Sequence, residues 1–299
     1  MIMKSSTVNI ALALLLACPA LLRAGIGVDA TKGPGIYQSN VLSFDVNLLK
    51  TVNLGVGYEN TTSTTTAAAV KSYSANLGFK AGEHWSVTVN GSNSPEAGNS
   101  RSSGWGIAGA YNSGGDEFSW GISLAYGSAF SSEYVDWQTL RTRQAGRKTR
   151  YISTDHSQWM TLQQGCFGPS VSFGIRQHID LSAGYSKYSY DRDVEDFSQQ
   201  LSRLSESEII RNANFDGVTS LIQGFPDHIV SAGIGYNPFG SVRISYDWSR
   251  TGYVVAQPMV DSSTIGLSYT FRSIISARFS YTILAYRDVY TTFGVKWLW

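Results

Sequence analysis

Hydrophobic and polar residues alternate along most of this chain with a period of two. Leu42, Phe44, Val46 and Leu48 interleave with Ser43, Asp45 and Asn47; Val52, Leu54, Val56 and Tyr58 follow against Asn53, Gly55 and Gly57. Successive side chains of a strand point to opposite faces, so each run predicts a strand with one apolar and one polar face. Comparable ladders recur at 73–79, 85–89, 105–111, 118–126, 171–175, 181–185, 230–236, 242–248, 265–271, 277–283 and 293–299. Beyond the amino terminus, no stretch reaches the eighteen or so consecutive apolar residues of a transmembrane helix. Connections alternate in length. Those at 49–51, 81–84, 112–117, 177–180, 237–240 and 273–274 are tight, with turn-prone sequences such as Asn237-Pro238-Phe239-Gly240, and the intervening ones are longer.

A soluble β-sandwich also alternates, so the polar face has to discriminate. Here it is mostly Ser, Gly, Thr and Asn rather than Lys, Glu and Arg. Only 15% of the 299 residues are charged, against about 25% in ordinary globular domains. Aromatic residues mark the ends of the apolar ladders, as Tyr58, Trp85, Tyr126, Tyr236 and Trp248 do, in the manner of interfacial girdles.

The carboxyl terminus carries the most specific pattern, because Phe293, Val295, Trp297 and Trp299 alternate up to the last residue. This resembles the carboxyl-terminal signature of bacterial outer-membrane β-barrel proteins, which their assembly machinery reads, with Trp in place of the commoner final Phe. The resemblance implies an all-β, antiparallel up-and-down transmembrane barrel in the bacterial outer membrane, with outer-membrane lipid and that machinery as partners. It also implies periplasmic termini and an even number of strands. Thirteen ladders are clear, and Ile26-Val28-Ala30 supplies one more before the turn Lys32-Gly33-Pro34-Gly35, giving about fourteen strands. Twelve is the alternative if that segment is a tail and 181–185 is not a strand.

At the amino terminus, Lys4 precedes an apolar run over 8–17 that is too short for a membrane anchor. Residues 1–24 therefore read as a signal peptide cleaved after Ala24, leaving a barrel domain over 25–299. A lipoprotein-like box ending in Cys18 is the other reading, opposed by Pro19. After cleavage Cys166 is the one remaining cysteine, so no intramolecular disulfide is expected, and it has no cationic neighbour in sequence.

With the apolar face in lipid, the interior is lined by small polar residues such as Ser43, Asn53, Ser74, Asn76, Thr88, Ser123, Ser172, Ser182, Ser231, Ser245, Ser268 and Ser280, which leave room for water. Inward charges are expected at Lys80, Arg176, Arg243, Arg272, Arg278 and Lys296, against Asp45, Asp180 and Asp247. The basic excess suggests a weak anion preference. The alternative is that Arg243 and Arg278 pair with Asp247 and Asp180 in structural ladders. Two external connections are long. That at 127–165 predicts a protruding β-hairpin whose tip gathers Arg141, Arg143, Arg147, Lys148 and Arg150, a patch suited to lipopolysaccharide phosphates or to steering anionic solutes. That at 191–224 changes period: Val194, Phe197, Leu201, Leu204 and Ile209 form a helical stripe, with Asp191 or Asp193 as its cap.

Catalytic patterns are weak. Asp191 with Asp193, and Asp227-His228, resemble the acidic and Asp/His pairs of the omptin proteases. Neighbours on a strand point to opposite faces, however, so Asp227 and His228 are not expected to cooperate, and Asp155-His156 has the same flaw. No His/Cys cluster has metal-ligand spacing, and neither a metal nor a cofactor is expected. A net charge of +1 gives no general field for nucleic acid. The expected function is a channel for passive or weakly selective diffusion of small solutes, with anions favoured. A non-conducting surface-binding barrel acting through its loops is the alternative; an outer-membrane hydrolase is less favoured, and no enzyme activity is expected.

Overall fold

The computed structural model describes residues 23–62, 69–97, 100–145, 148–176, 178–197, 225–254, 258–284 and 288–299. Most of the expected signal peptide, including Cys18, lies outside them, as do Arg147, Leu201, Leu204 and Ile209. Fourteen antiparallel strands close into a barrel, each paired with its sequence neighbours and the first with the last. They are β1 (Arg23–Lys32), β2 (Gln38–Leu49), β3 (Val52–Thr62), β4 (Val70–Ala81), β5 (Trp85–Ala97), β6 (Ser100–Gly114) and β7 (Phe118–Ala145). The second half comprises β8 (Lys148–Ile175), β9 (Ile179–Tyr190), β10 (Pro226–Phe239), β11 (Val242–Tyr253), β12 (Val260–Phe271), β13 (Ile275–Leu284) and β14 (Val289–Leu298).

The strand count is fourteen, not the alternative twelve, and both doubtful ladders are strands, β1 and β9. β1 begins two residues ahead of the expected cleavage boundary. Ala24 exchanges both backbone hydrogen bonds with Trp299, at 3.0 and 2.9 Å, so the last residue of the chain helps close the sheet.

Large apolar side chains point away from the axis. Ile122, Leu124, Leu267 and Val28 are each about half exposed, the inverse of a water-soluble core. Aromatic contacts rim this belt at both edges. Trp85, Tyr111 and Trp120 touch in series near the end that carries the termini, with ring centroids 4.9 and 5.5 Å apart. Tyr58 meets Tyr73 at 5.5 Å, and Trp105 meets Tyr126 at 5.9 Å, at the other edge. From Phe118 to Tyr126 is roughly 27 Å along the strand, and a tilt of about 40° brings that to roughly 20 Å across the membrane, close to the apolar band of such barrels. Closure is required here, because an open edge in lipid would leave backbone groups without partners.

The termini and the tight turns share one end. Two turns there are clasped by the same device. His84 accepts the backbone N–H of Asn112 and its ring Nδ1 lies 2.8 Å from the Asn112 carbonyl; His178 repeats both contacts with Asn237, at 2.7 and 2.9 Å. At the opposite end the connections are unequal. β5 and β6 are joined across only 98–99, whereas β7 and β8 run for 28 residues each and extend as a paired ribbon well beyond the belt.

Candidate functional site

The inner wall takes the alternate residues of each strand, and these are small. A circular barrel of fourteen strands spaced about 4.8 Å apart and tilted about 40° is roughly 28 Å across between backbones. Serine, glycine and asparagine side chains reach only a few ångströms inward, so the described side chains of opposite walls stand roughly 20 Å apart within the belt. Many inner hydroxyls bond each other along the wall, as Ser123 does with Ser170 at 2.6 Å and Ser72 with Ser94 at 2.7 Å.

Inward charges come as strand-skipping pairs. Arg278 on β13 reaches over Gly294 on β14 to Asp29 on β1, making two contacts of 2.7 and 2.5 Å. Lys296 on β14 crosses β1 to Asp45 on β2 at 2.6 Å. Arg243 on β11 crosses β10 at Gly235 to Asp180 on β9 at 2.8 Å. The intervening glycines make room for these side chains. A Cβ on Gly294 would lie 1.8 Å from Asp29 Oδ1 and 2.9 Å from Arg278 Cγ, and one on Gly235 would lie 2.8 Å from Arg243 Nη2. Because Asp29 is the most buried acid of the three, at 12% side-chain exposure, its pair is the least screened by water. Gly294→Val is therefore expected to displace Arg278 from Asp29 and loosen the seam between β1 and β14. A lower midpoint of heat-induced unfolding in detergent checks this; an unchanged midpoint contradicts it.

The sequence-predicted lining residues divide into two groups. Arg243, Asp247, Arg278 and Lys296 face the interior, but Arg243 pairs with Asp180 and Arg278 with Asp29, rather than with the partners expected from sequence. Arg176 and Arg272 do not line the wall. Both sit in turns at the terminal-bearing end with positive φ of 50° and 49°, where strand alternation has already ended, and Arg272 packs 5.1 Å from the outward ring of Phe271. In the β7–β8 ribbon the register sets Arg141 opposite Ile152, Arg143 opposite Arg150 and Ala145 opposite Lys148.

At the mouth the chain leaves β9 and forms a helical turn from Val194 to Phe197. Of the two expected caps, Asp193 serves: its Oδ1 accepts the backbone N–H groups of Glu195 at 2.8 Å and Asp196 at 3.1 Å. Asp191 instead accepts the backbone N–H of Gln163 at 3.0 Å, tying the loop to β8. Val194 and Phe197 then bury themselves against Met160, Leu162 and Phe225, with Tyr190 packed alongside. Met160 and Leu162 share the strand face of Ser170 and Ser172, so this cluster lies on the lumen side of β8, above the belt. Tyr190 locks it by donating its hydroxyl to the Pro226 carbonyl at 2.7 Å while accepting from Gln164 at 2.9 Å. Asp193→Ala removes the cap and is expected to cost about 1 kcal/mol of local stability. Amide exchange at Glu195 and Asp196 should rise about fivefold, and no change would show that the cap carries no stability.

Asp227 and His228 depart from the sequence expectation. The register between β10 and β11 shifts from Pro226 to His228, and this irregularity breaks the alternation that would separate the two side chains. His228 Nδ1 lies 2.9 Å from Asp227 Oδ2, Lys187 donates to the other carboxylate oxygen, and the Tyr185 ring stacks on the imidazole. Tyr185 and Lys187 belong to the outward face of β9, so this group sits outside the lumen at the upper edge of the belt. Among the described residues, no group of three His, Cys, Asp or Glu side chains could hold a metal ion. Cys166 takes an inner-face position of β8.

No protein-family model and no curated protein matches the chain. Several solved structures are similar to it in outline. The KdgM porin is 8% identical with a TM-score of 0.42, over 91% of this chain and 98% of that one. The CymD monoaromatic hydrocarbon channel is 12% identical with a TM-score of 0.48, over 99% and 93%. The Pseudomonas putida toluene transporter TodX is 11% identical with a TM-score of 0.46, over 100% and 94%. At such distances neither solute nor mechanism carries over. What defines the class is the chain's own architecture: a closed fourteen-strand antiparallel barrel with an outward apolar belt, aromatic rims and a polar interior. These are the features of a transmembrane β-barrel.

Proposed function

We propose that the protein is an outer-membrane channel for passive, weakly selective diffusion of small hydrophilic solutes. The observation that carries this reading is the inner wall within the belt, where the described residues of a fourteen-strand barrel are mostly Ser, Gly, Asn and Thr and form no layer of bulky side chains. The anion preference suggested by the basic residues is weak at most, because Arg243, Arg278 and Lys296 each face an acid. Further anion attraction comes from the inward Lys80 on β4 and, above the belt, from the basic positions of the β7–β8 ribbon. The ribbon positions also suit the phosphates of lipopolysaccharide, a partner proposed on charge alone.

The test is single-channel recording of refolded protein in a planar bilayer. Discrete, reproducible conductance steps support the reading. A folded, inserted barrel that never conducts would overturn it and favour the alternative of a closed surface-binding barrel, for which the helical turn packed at the mouth is the specific observation.

A further inference from the structure

The lumen has two chemically different walls. Within the belt, the described inner faces of β5, β6, β7 and β8 carry no charged side chain. They offer Ser86, Thr88, Asn90 and Ser92, then Gly106, Ala108, Ala110 and Asn112, then Ser119, Gly121, Ser123 and Ala125, and finally Ser170 and Ser172. The paired charges are confined to the arc from β9 through the seam to β2. There the acids on β1 and β2 lie beside the bases on β13 and β14, and each base is matched across one intervening strand. Of the other described inward charges, Lys80 and Asp247 are of opposite sign, and Glu59 accepts hydrogen bonds from Ser39 and Thr61. Among the described residues the inner face of the strands is therefore balanced to within one charge. Within the belt the described inner faces of β5–β8 carry no aromatic ring, since Trp85, Trp105, Trp120 and Tyr126 face lipid, and inward tyrosines such as Tyr188, Tyr190 and Tyr290 sit on other strands near the mouth.

Resting on the channel reading above, we infer that this partition sets the solute class: uncharged, hydrogen-bonding solutes, namely polyols and small saccharides, pass along the β5–β8 wall, and no ion sign is preferred. Three physical reasons converge. An ion in a wide aqueous lumen responds to net wall charge within a Debye length, and matched pairs a few ångströms apart present only a dipole at that range. A wall of hydroxyls and amides donates and accepts equally well, so it replaces the hydration of a polyhydroxylated solute at each position without holding it tightly. Within the belt, the described inner faces of β5–β8 give an apolar solute no aromatic surface to leave water for, the lumen-side rings of Tyr190, Phe197 and Phe225 lying above it at the mouth.

The experiment combines three readouts on the barrel refolded from Arg23 to Trp299 and checked for insertion by heat-modifiable migration. Reversal potentials in a KCl gradient should give a chloride-to-potassium permeability ratio within about twofold of unity. Proteoliposomes should swell readily in arabinose or glucose, and more slowly in gluconate of similar size. Ser123→Asp and Asn90→Asp, which place an acid on the neutral wall, should each shift the ratio several-fold toward cations. Arg243→Ala, which unmasks Asp180, should shift it the same way. A wild-type ratio far from unity, or faster entry of gluconate than glucose, overturns the inference while leaving the channel intact. Unresponsive ratios in both Asp variants show that ions do not travel by this wall and overturn it as well. Absence of conductance and swelling in an inserted barrel fails the channel reading itself.

Discussion

Deletion of Trp299 is expected to leave little folded barrel in the outer membrane. The residue acts at two levels. In a chain that keeps Ala24, its backbone exchanges two hydrogen bonds with that residue across the seam, and each is worth about 1 kcal/mol net in water and more where lipid denies the freed groups a substitute. Its ring lies outward, 57% exposed, with Trp297 at 6.1 Å and Phe44 at 6.5 Å, so it completes the aromatic rim at the terminal-bearing edge. Losing about 2 kcal/mol at the closing pair lowers the closed fraction by a factor of about thirty in a marginal barrel. Trp299→Phe keeps the backbone and an aromatic ring and should restore assembly. The fraction of heat-modifiable protein in outer-membrane preparations reads both variants. Wild-type amounts of folded protein after the deletion would refute the role given to the terminal residue.

Two neighbouring substitutions should have opposite consequences. Ile122 on β7 is 51% exposed and faces lipid near the middle of the belt, so Ile122→Arg is expected to destabilise the barrel by about 2–4 kcal/mol. Ser123, the next residue, faces the lumen and hydrogen-bonds Ser170. Ser123→Arg loses only that contact, on the order of 1 kcal/mol, but puts a cation into the space solutes use. It should fold nearly as well as the wild type while conducting less and favouring anions. Denaturant titration in lipid vesicles separates the two. Equal destabilisation by both would mean that the faces of β7 are not lipid and water.

How much of this was legible in the sequence depends on whether the information is local. Alternation is local, so thirteen ladders, the tight turns at one end and the paired β7–β8 ribbon could be read directly. β1 is short, and strand parity was needed to recognise it. Arg176 and Arg272 were misplaced for the opposite reason. Alternation was carried past the end of β8 and β12 into turns where positive φ removes the two-sided pattern. The Asp227–His228 contact was missed because a register shift between Pro226 and His228 leaves no mark in a hydrophobic pattern. The charge pairs were anticipated as ladders with the wrong partners. Arg278 meets Asp29, 249 residues away, only because β1 closes on β14 and Gly294 leaves room between them. Such a pair needs both register and closure, which no window of sequence contains. The helical turn at 194–197 was visible as the start of a change of period, with Asp193 among its expected caps, whereas Leu201, Leu204 and Ile209 lie outside the described residues; the seat of Val194 and Phe197 on Met160 and Leu162 depends on how far β8 rises above the belt.

The central claim is that the small-residue face of the strands borders water and the apolar face borders lipid. Cysteine substitution along β7 tests it most directly, in a background with both native cysteines changed to Ser and the barrel inserted in lipid vesicles. A membrane-impermeant charged thiol reagent is predicted to label Cys at positions 119, 123 and 125 rapidly, and to leave Cys at 122 and 124 essentially unlabelled. Protection of all five positions would mean a filled interior, and labelling at 122 and 124 in place of the others would mean an inverted wall; either contradicts the account.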